Sequence, residues 1–426
     1  MLTRRSAAMA FIFVTILLDM IALGIMIPVF QPLLLSFTHG NYASASLLSG
    51  LFAMIFAAVQ FFASPIQGVL SDRFGRRPIV LLSNLGTSLD YVILALAPTI
   101  GWLFIGRIFS GVTTASITVA SAYIADVTAE EKRAAAYGMI SACFGVGFVV
   151  GPALGGWLWA IGGLRAPFWV AAALSLLNFL YGLFVLPESL GDEHRSPFSW
   201  KRANPLGSVK MLRRHAELSG LAIVTLIGYV AHEALPQLWV LYTKYSFQWN
   251  AAELGLSLAA VGILTIVISA FVVGPVVQRF GERNALFIGL FFGGIGFAMY
   301  AGSRLIFWIG MPINMLWMIA TSCAQAIMTR RVAKNEQGEL QGAIQMLRSV
   351  GMIVGPVIFS GTFAYSVSEA HTWKAPGFAW IVGGVLLLIS LVVAVFVTNP
   401  GDNVAEIPET AAAMEAASLA EVPIVE

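Results

Sequence analysis

Six ionisable side chains lie inside stretches that are otherwise apolar: Asp19, Asp90, Arg107, His232, Glu233 and Arg348. A charge placed in hydrocarbon costs about 2.5–3.5 kcal/mol even on the gentlest scale, so each must face a partner, a wet cavity or a substrate. The chemistry open to such a set is proton uptake and release. Asp19 is the first choice for the proton-binding carboxylate: desolvation favours its neutral acid, a nearby guanidinium its anion. A motion that changes the distance between Asp19 and Arg107 would therefore turn conformation into proton affinity. The competing reading is a static Asp19–Arg107 pair that only orders two helices. His232 and Glu233 are neighbours in sequence and point about 100° apart on a helix, so only one need face a cavity. Glu233 is a candidate proton carrier with His232 beside it, or else an acid that snorkels to the surface. Arg348, a cation in mid-span, requires an anion, a carbonyl or a substrate, and would select anionic or zwitterionic ligands.

A second cluster is G-V-L-S-D-R-F-G-R-R-P from Gly68 to Pro78, a charged knot between two apolar runs. The bilayer excludes such charges, so this is a short cytoplasmic loop joining two membrane spans. Gly68 removes a side chain where two helix ends can approach closely, Gly75 belongs to the same candidate gating loop, Asp72 can cap or pair, and Arg73, Arg76 and Arg77 offer forked donors to carboxylates and helix C-termini. Arg73 and Arg77 are expected to reach Asp126, making a gate that holds only while the cytoplasmic side is shut. The plain alternative is a topology signal without a gating role.

The elements that must hold these groups are helices in lipid. The chain has 426 residues, 58% hydrophobic and 11% charged, with mean hydropathy +0.84. Its apolar residues fall into blocks of about 20, the length that crosses the hydrocarbon core. Twelve spans are expected, near 7–35, 47–70, 79–98, 101–125, 136–159, 165–187, 218–243, 252–275, 284–302, 304–328, 340–365 and 374–397. They divide into an N-terminal six-helix bundle (1–187), a cytoplasmic central loop (188–217), a C-terminal bundle (218–397) and an acidic tail (398–426) read as disordered or loosely helical.

Eighteen of the 24 lysines and arginines fall on one side of these spans, four (Arg165, Lys244, Arg304 and Lys374) on the other, and Arg107 and Arg348 within them. The rich side is cytoplasmic, which puts both termini inside. The first apolar run is too long for a signal peptide and carries Asp19. Net charge +2 gives no reason to expect nucleic acid. Cys143 and Cys323 sit in spans of opposite halves, which speaks against a disulfide framework. Neither a phosphate-cradling loop, a metal-ligand pattern nor a nucleophile–base pair stands out, so enzyme and ATP-driven pump are disfavoured.

Gly274 to Asn284, G-P-V-V-Q-R-F-G-E-R-N, echoes the arginine knot in the matching loop of the second half and points to internal duplication. In duplicated carriers the substrate site lies between the halves near the bilayer midplane. The fifth span is rich in small residues: Gly145, Gly147, Gly151, Gly155 and Gly156 allow close helix contact, and Pro152 kinks it. Gly351, Gly355 and Pro356 repeat the pattern in the eleventh span. Tyr91, Tyr229, Trp239, Gln237, Gln325 and Gln345 could line a cavity for a flat amphipathic ligand, although any one of them could equally be structural.

These segments together resemble the major facilitator superfamily, and within it the twelve-span drug:proton antiporters, most closely the bacterial tetracycline exporters. The resemblance rests on the Gly68–Pro78 loop, D-M-I-A-L-G-I-M-I-P from Asp19, G-R-I-F-S-G from Gly106 and G-V-G-F-V-V-G-P-A-L-G-G from Gly145. It extends to S-L-D-Y at Ser88, F-x-W-N ending at Asn250 and L-Q-G at Leu340. It implies an all-α membrane protein of two pseudo-symmetric six-helix bundles that exports a drug or natural product, tetracycline-like, from a bacterial cytoplasm across the inner membrane. No cofactor is implied beyond the proton gradient, although the substrate could arrive as a metal chelate. The partners implied are protons, a small molecule and lipid, with a monomer as the working unit. Asp90, beside Tyr91, would help recognise a cationic or chelated drug. The alternative function is a uniporter or symporter for a small metabolite. The exporters also carry a histidine in the eighth span and an aspartate in the ninth, where this chain has Thr265 and Gly293.

Overall fold

The computed structural model describes residues 4–114, 116–128, 133–191, 193, 195–200, 204, 209–333, 336–370 and 372–404. Among the described residues the chain is helical with no strand. The first half comprises α1 (Arg4–Phe37), α2 (Tyr42–Phe74), α3 (Arg76–Leu96), α4 (Ile100–Thr113), α5 (Ser116–Val127), α6 (Arg133–Gly162) and α7 (Ala166–Val185). After the short α8 (Val209–Arg214) come α9 (Ala216–His232), α10 (Ala234–Phe247), α11 (Ala251–Phe271), α12 (Val273–Tyr300), α13 (Arg304–Met315), α14 (Trp317–Arg330), α15 (Gln337–Val367) and α16 (Phe378–Val397).

Twelve spans follow once three of them are read as broken helices: α4 with α5, α9 with α10, and α13 with α14. The seventh span breaks at Glu233, one turn before Pro236. Pro236 has no N–H to donate to the carbonyl of His232, and its ring crowds that carbonyl. The Glu233 N–H instead reaches back to Tyr229 O and Val230 O at 3.3 and 3.2 Å.

The two halves repeat one design at the end that carries the arginine knot. Gly75 separates α2 from α3 at φ +100°, and Gly281 turns α12 sharply at φ +75°, a region that costs any residue with a Cβ. Each turn is backed by a residue that follows the last span of its half. Glu188 accepts the Arg76 and Arg77 N–H groups at 2.8 and 3.2 Å, so a carboxylate caps the N-terminus of α3. In the second half Asn403 Oδ1 accepts the Asn284 N–H at 3.3 Å, and Val404 O accepts the Glu282 N–H at 2.9 Å. The start of the acidic tail, expected to be disordered or loosely helical, is thus docked through a short helical turn at Pro400–Asp402, with Asp402 also paired to Arg331 at 2.6 Å. The remainder, 405–426, lies outside the described residues.

The halves meet through α6 against α11 and α2 against α15. A Cβ on Gly156 would lie 2.5 Å from Ala251 O, and one on Gly50 would lie 2.6 Å from Ser360 Cβ, so small residues bring the backbones together across the interface.

Candidate functional site

Asp19 lies in α1 with 9% of its surface exposed and accepts a 2.8 Å hydrogen bond from Asn178 Nδ2 of α7. The same Nδ2 also bonds Thr15 O at 3.0 Å, which fixes the amide between two turns of α1. The expected partner, Arg107, is engaged elsewhere. Its Nη2 stands 2.5 Å from Asp90 Oδ2, joining α4 to α3, and its guanidinium lies over the rings of Phe30 and Phe56 at 5.1 and 5.8 Å. The anticipated Asp19–Arg107 pair is therefore replaced by Asp90–Arg107. Asp90 is 1% exposed and Tyr91 3%, so neither offers a ligand-facing surface in this conformation. A Cβ on Gly106 would sit 2.8 Å from Asp90 Oδ1, so the glycine makes room for the ion pair.

In the second half the neighbours His232 and Glu233 part company at the break. His232 stacks on Trp317 of α14, with ring centroids 4.5 Å apart and planes at 21°. Glu233 is packed against Gly355 of α15. Trp317 also fills the space beside Gly293, whose Cβ would lie 2.9 Å from Trp317 Cβ. The ninth-span position has no room for a longer side chain, since it is closed by Cα and Cβ of Trp317 and by Leu387. At the eighth-span position Thr265 Oγ1 donates to Val261 O at 2.8 Å. Arg348 and Gln345 are both exposed on α15.

Gln237, expected to line a cavity, is 5% exposed and belongs to a lock between the halves. Gln31 of α1 donates to Gln237 O at 2.9 Å, to Pro236 O at 3.1 Å and to Ser49 Oγ at 3.1 Å, and accepts the Leu241 N–H at 3.2 Å. Ser360 donates to Gln237 Oε1 at 3.3 Å and Ser46 to Ser360 O at 3.0 Å. Tyr42 against Tyr245, and Lys244 over Trp159, add ring contacts at the same end. The halves are therefore tied at the end opposite the arginine knot. Trp239 is likewise buried, donating to Ser257 at 3.0 Å inside an aromatic cluster.

The knot is built differently from expectation. Arg76, not Arg73 or Arg77, reaches Asp126, at 3.1 Å, and it also bonds Asp72 at 2.5 Å and Ser71 Oγ at 2.6 Å. Arg77 donates to Leu183 O at 2.7 Å, and Arg73 lies over the Phe74 ring. Asp72 O accepts the Ser196 N–H at 3.1 Å, so that carbonyl is bonded to the segment after α7. A Cβ on Gly68 would meet nothing within 4 Å, so no close approach is made there. The corresponding pair of the second half, Glu282 with Arg330, has its charges reversed.

Along α6 the glycines divide between two faces. Gly147, Gly151 and Gly155 receive α1 at Met20, Gly24 and Ile25, while Gly145 and Gly156 meet α11 at Ile266 and Gly255. Pro152 follows Gly151 and touches the site of a Gly24 Cβ at 3.0 Å. Sequence reasoning overlooked Gln31, Asn178, Glu188 and Trp317. The lone amides Gln31 and Asn178 within apolar runs were a usable signal, because a buried amide needs partners.

A two-part, twelve-span helical body with paired charges buried inside it, and the halves joined at one end, defines a membrane transporter. The Major Facilitator Superfamily profile matches residues 12–356 and again 221–425. The chain belongs to that superfamily. It is 40% identical over 391 residues to the class C tetracycline resistance protein of Escherichia coli, covering 91% of this chain and 96% of that one. With the class G tetracycline resistance protein of Vibrio anguillarum it shares 37% over 398 residues, covering 91% and 96%. Among solved structures, the nucleoside transporter NupG superposes with TM-score 0.74 at 11% identity, covering 92% of this chain and 98% of that one. A bacterial homologue of the lysosomal transporter Spinster, inward-facing and occupied, superposes with TM-score 0.73 at 17% identity, covering 94% and 98%.

Proposed function

We propose that this chain is a proton-coupled efflux antiporter of a bacterial inner membrane, moving an amphipathic drug or natural product outward by alternating access. A tetracycline-like compound is the leading substrate, in keeping with the names of its relatives. Both termini are cytoplasmic, the driving force is the proton gradient, and the working unit is a monomer. The observation that carries this reading is Asp19, a buried carboxylate that accepts a hydrogen bond from the neutral amide of Asn178 while Arg107 is bonded to Asp90. A neutral donor can serve the acid in either charge state, whereas a fixed guanidinium would hold it ionised. The separate Asp90–Arg107 pair orders the spans around Asp19 and is available to rearrange with them.

The test is Asp19→Asn in inverted vesicles, reading substrate-driven proton release with a pH-sensitive dye. Loss of coupled flux with normal membrane insertion is expected. Undiminished coupled transport would remove Asp19 from the mechanism, and transport without proton movement in the unaltered protein would favour a uniporter.

A further inference from the structure

Arg348 is the one mid-span cation of the second half. Among the described residues it makes no hydrogen bond or ion pair, and its side chain is exposed. Its direction follows from helix geometry. At 100° per residue, Arg348 shares a side of α15 with Gly351 and Gly355, which pack on Tyr229 and Glu233 of the seventh span. Pro356 and Ser360, about 80–120° further round, pack on Gly50 of α2 in the opposite half. Arg348 and Gln345 fall at the edge of the first sector and in the gap before the second. That gap looks into the space between the halves, on the side toward the arginine knot, where Gln341 and Gln325 also meet at 3.1 Å.

The side of α15 that carries Arg348 faces Tyr229 and Glu233, which pack on Gly351 and Gly355, and the Arg348 charge acts on Tyr229, His232 and Glu233 without a hydrogen bond to any of them. Glu233 and His232 flank the break of the seventh span, and His232 stacks on Trp317, the first residue after the break of the tenth. Helix breaks at this depth survive where they line a cavity or are buried in protein. A planar cation that bonds no carboxylate can take an acidic group on its fork, and the His232–Trp317 stack at the break of the seventh span offers aromatic surface to the ring system of the same ligand.

We propose that Arg348, with Trp317 and His232, forms a subsite for an aromatic ligand carrying an anionic group, such as a carboxylate, enolate or sulfonate. Glu233 sets its selectivity by repelling that group. The inference rests on the efflux reading for its biological sense, but it concerns binding alone and is tested by binding.

The experiment uses the purified full chain in nanodiscs and two xanthene dyes of similar shape and opposite charge, fluorescein and rhodamine 123, followed by fluorescence anisotropy. Fluorescein should bind the unaltered protein, and Arg348→Gln should weaken it about tenfold or more, the loss expected for a charged hydrogen-bonded contact. Arg348→Lys should retain part of the affinity, rhodamine 123 should bind Arg348→Gln no more weakly than the unaltered protein, and Glu233→Gln should tighten fluorescein. Equal loss of both dyes in a monodisperse Arg348→Gln protein, no effect of that change, or no fluorescein binding at all would overturn the proposal. A chain that exports drug yet fails these tests loses only the subsite. One that passes them yet moves no drug from cells loses only the efflux reading.

Discussion

Glu233 stands against Gly355 in the second half as Gly24 stands against Gly151 in the first. The glycines of α6 and α15 occur in the same pattern, Gly147, Gly151 and Pro152 matching Gly351, Gly355 and Pro356, and each row receives the first helix of its own half. Where the first half has a glycine nested on a glycine, the second has a carboxylate. A shared packing device therefore carries a charge in one half alone, and with it the symmetry of the fold ends at the place where the chemistry differs.

This predicts unequal tolerance at the two glycine rows. A Cβ on Gly151 would lie 2.5 Å from Gly24 Cα, an encounter with backbone, whereas the nearest atoms at Gly355 are Cβ and Cγ of Glu233, which only a residue without a Cβ at 233 would remove. Gly151→Val should cost about 1–3 kcal/mol through overpacking and lower the melting temperature in detergent. Gly355→Ala should lower it too, and Gly355→Ala with Glu233→Gly, which takes away the Cβ that the new methyl would meet, should recover part of the loss. Size-exclusion thermal melts of the three variants check the order.

The Asp90–Arg107 pair is nine-tenths buried on both sides. Removing one partner strands the other, which costs about 3–5 kcal/mol for a pair of this kind. Asp90→Ala should therefore reduce folded yield and melting temperature strongly. Asp90→Asn with Arg107→Gln, which removes both charges, should restore stability without restoring transport. Recovery of transport in the double variant would show the pair to be scaffold only.

The spans were legible because lipid imposes a length and a composition on any helix that crosses it. The charged loop at Gly68–Pro78, its echo at Gly274–Asn284 and the glycine-rich fifth span were legible as patterns of residue type, whereas the positive φ of Gly75 and Gly281 was not. The partner of Arg107 was not, since choosing between Asp19 and Asp90 depends on the rotation of three helices, and that is set by packing such as Gly106 against Asp90. The stacking of His232 on Trp317 was hidden for the same reason: it follows from breaks at Glu233 and Leu316 that bring two distant segments to one level. Gln237 looked like a cavity residue because an amide among apolar residues can serve a ligand or another helix equally well.

The reversed charges of the two glycine turns make another test. Glu282 is 1% exposed and paired with Arg330, while Arg76 holds Asp126 at 3.1 Å. If each pair serves to clamp a turn to the end of a neighbouring span, polarity should be interchangeable. Glu282→Arg alone should destabilise the protein by about 3 kcal/mol or more by burying a like charge beside Arg330. Glu282→Arg with Arg330→Glu should recover more than half of that loss, measured by melting temperature. No recovery would mean that Glu282 answers to a further group.

Gln31 makes four hydrogen bonds at the end where the halves are joined, three of them to the second half. Each such bond contributes about 0.5–1.5 kcal/mol net, so Gln31→Ala should shift the balance between closed and open at that end by about 1–3 kcal/mol. Ser46, 0% exposed beside Ser360, reports the change when replaced by cysteine. In a background lacking Cys143 and Cys323, a membrane-impermeant maleimide added from that side should label Ser46→Cys slowly, and about tenfold faster once Gln31→Ala is added. Equal labelling rates would mean that the close fit of α2 on α15, and not the amide, holds this end shut.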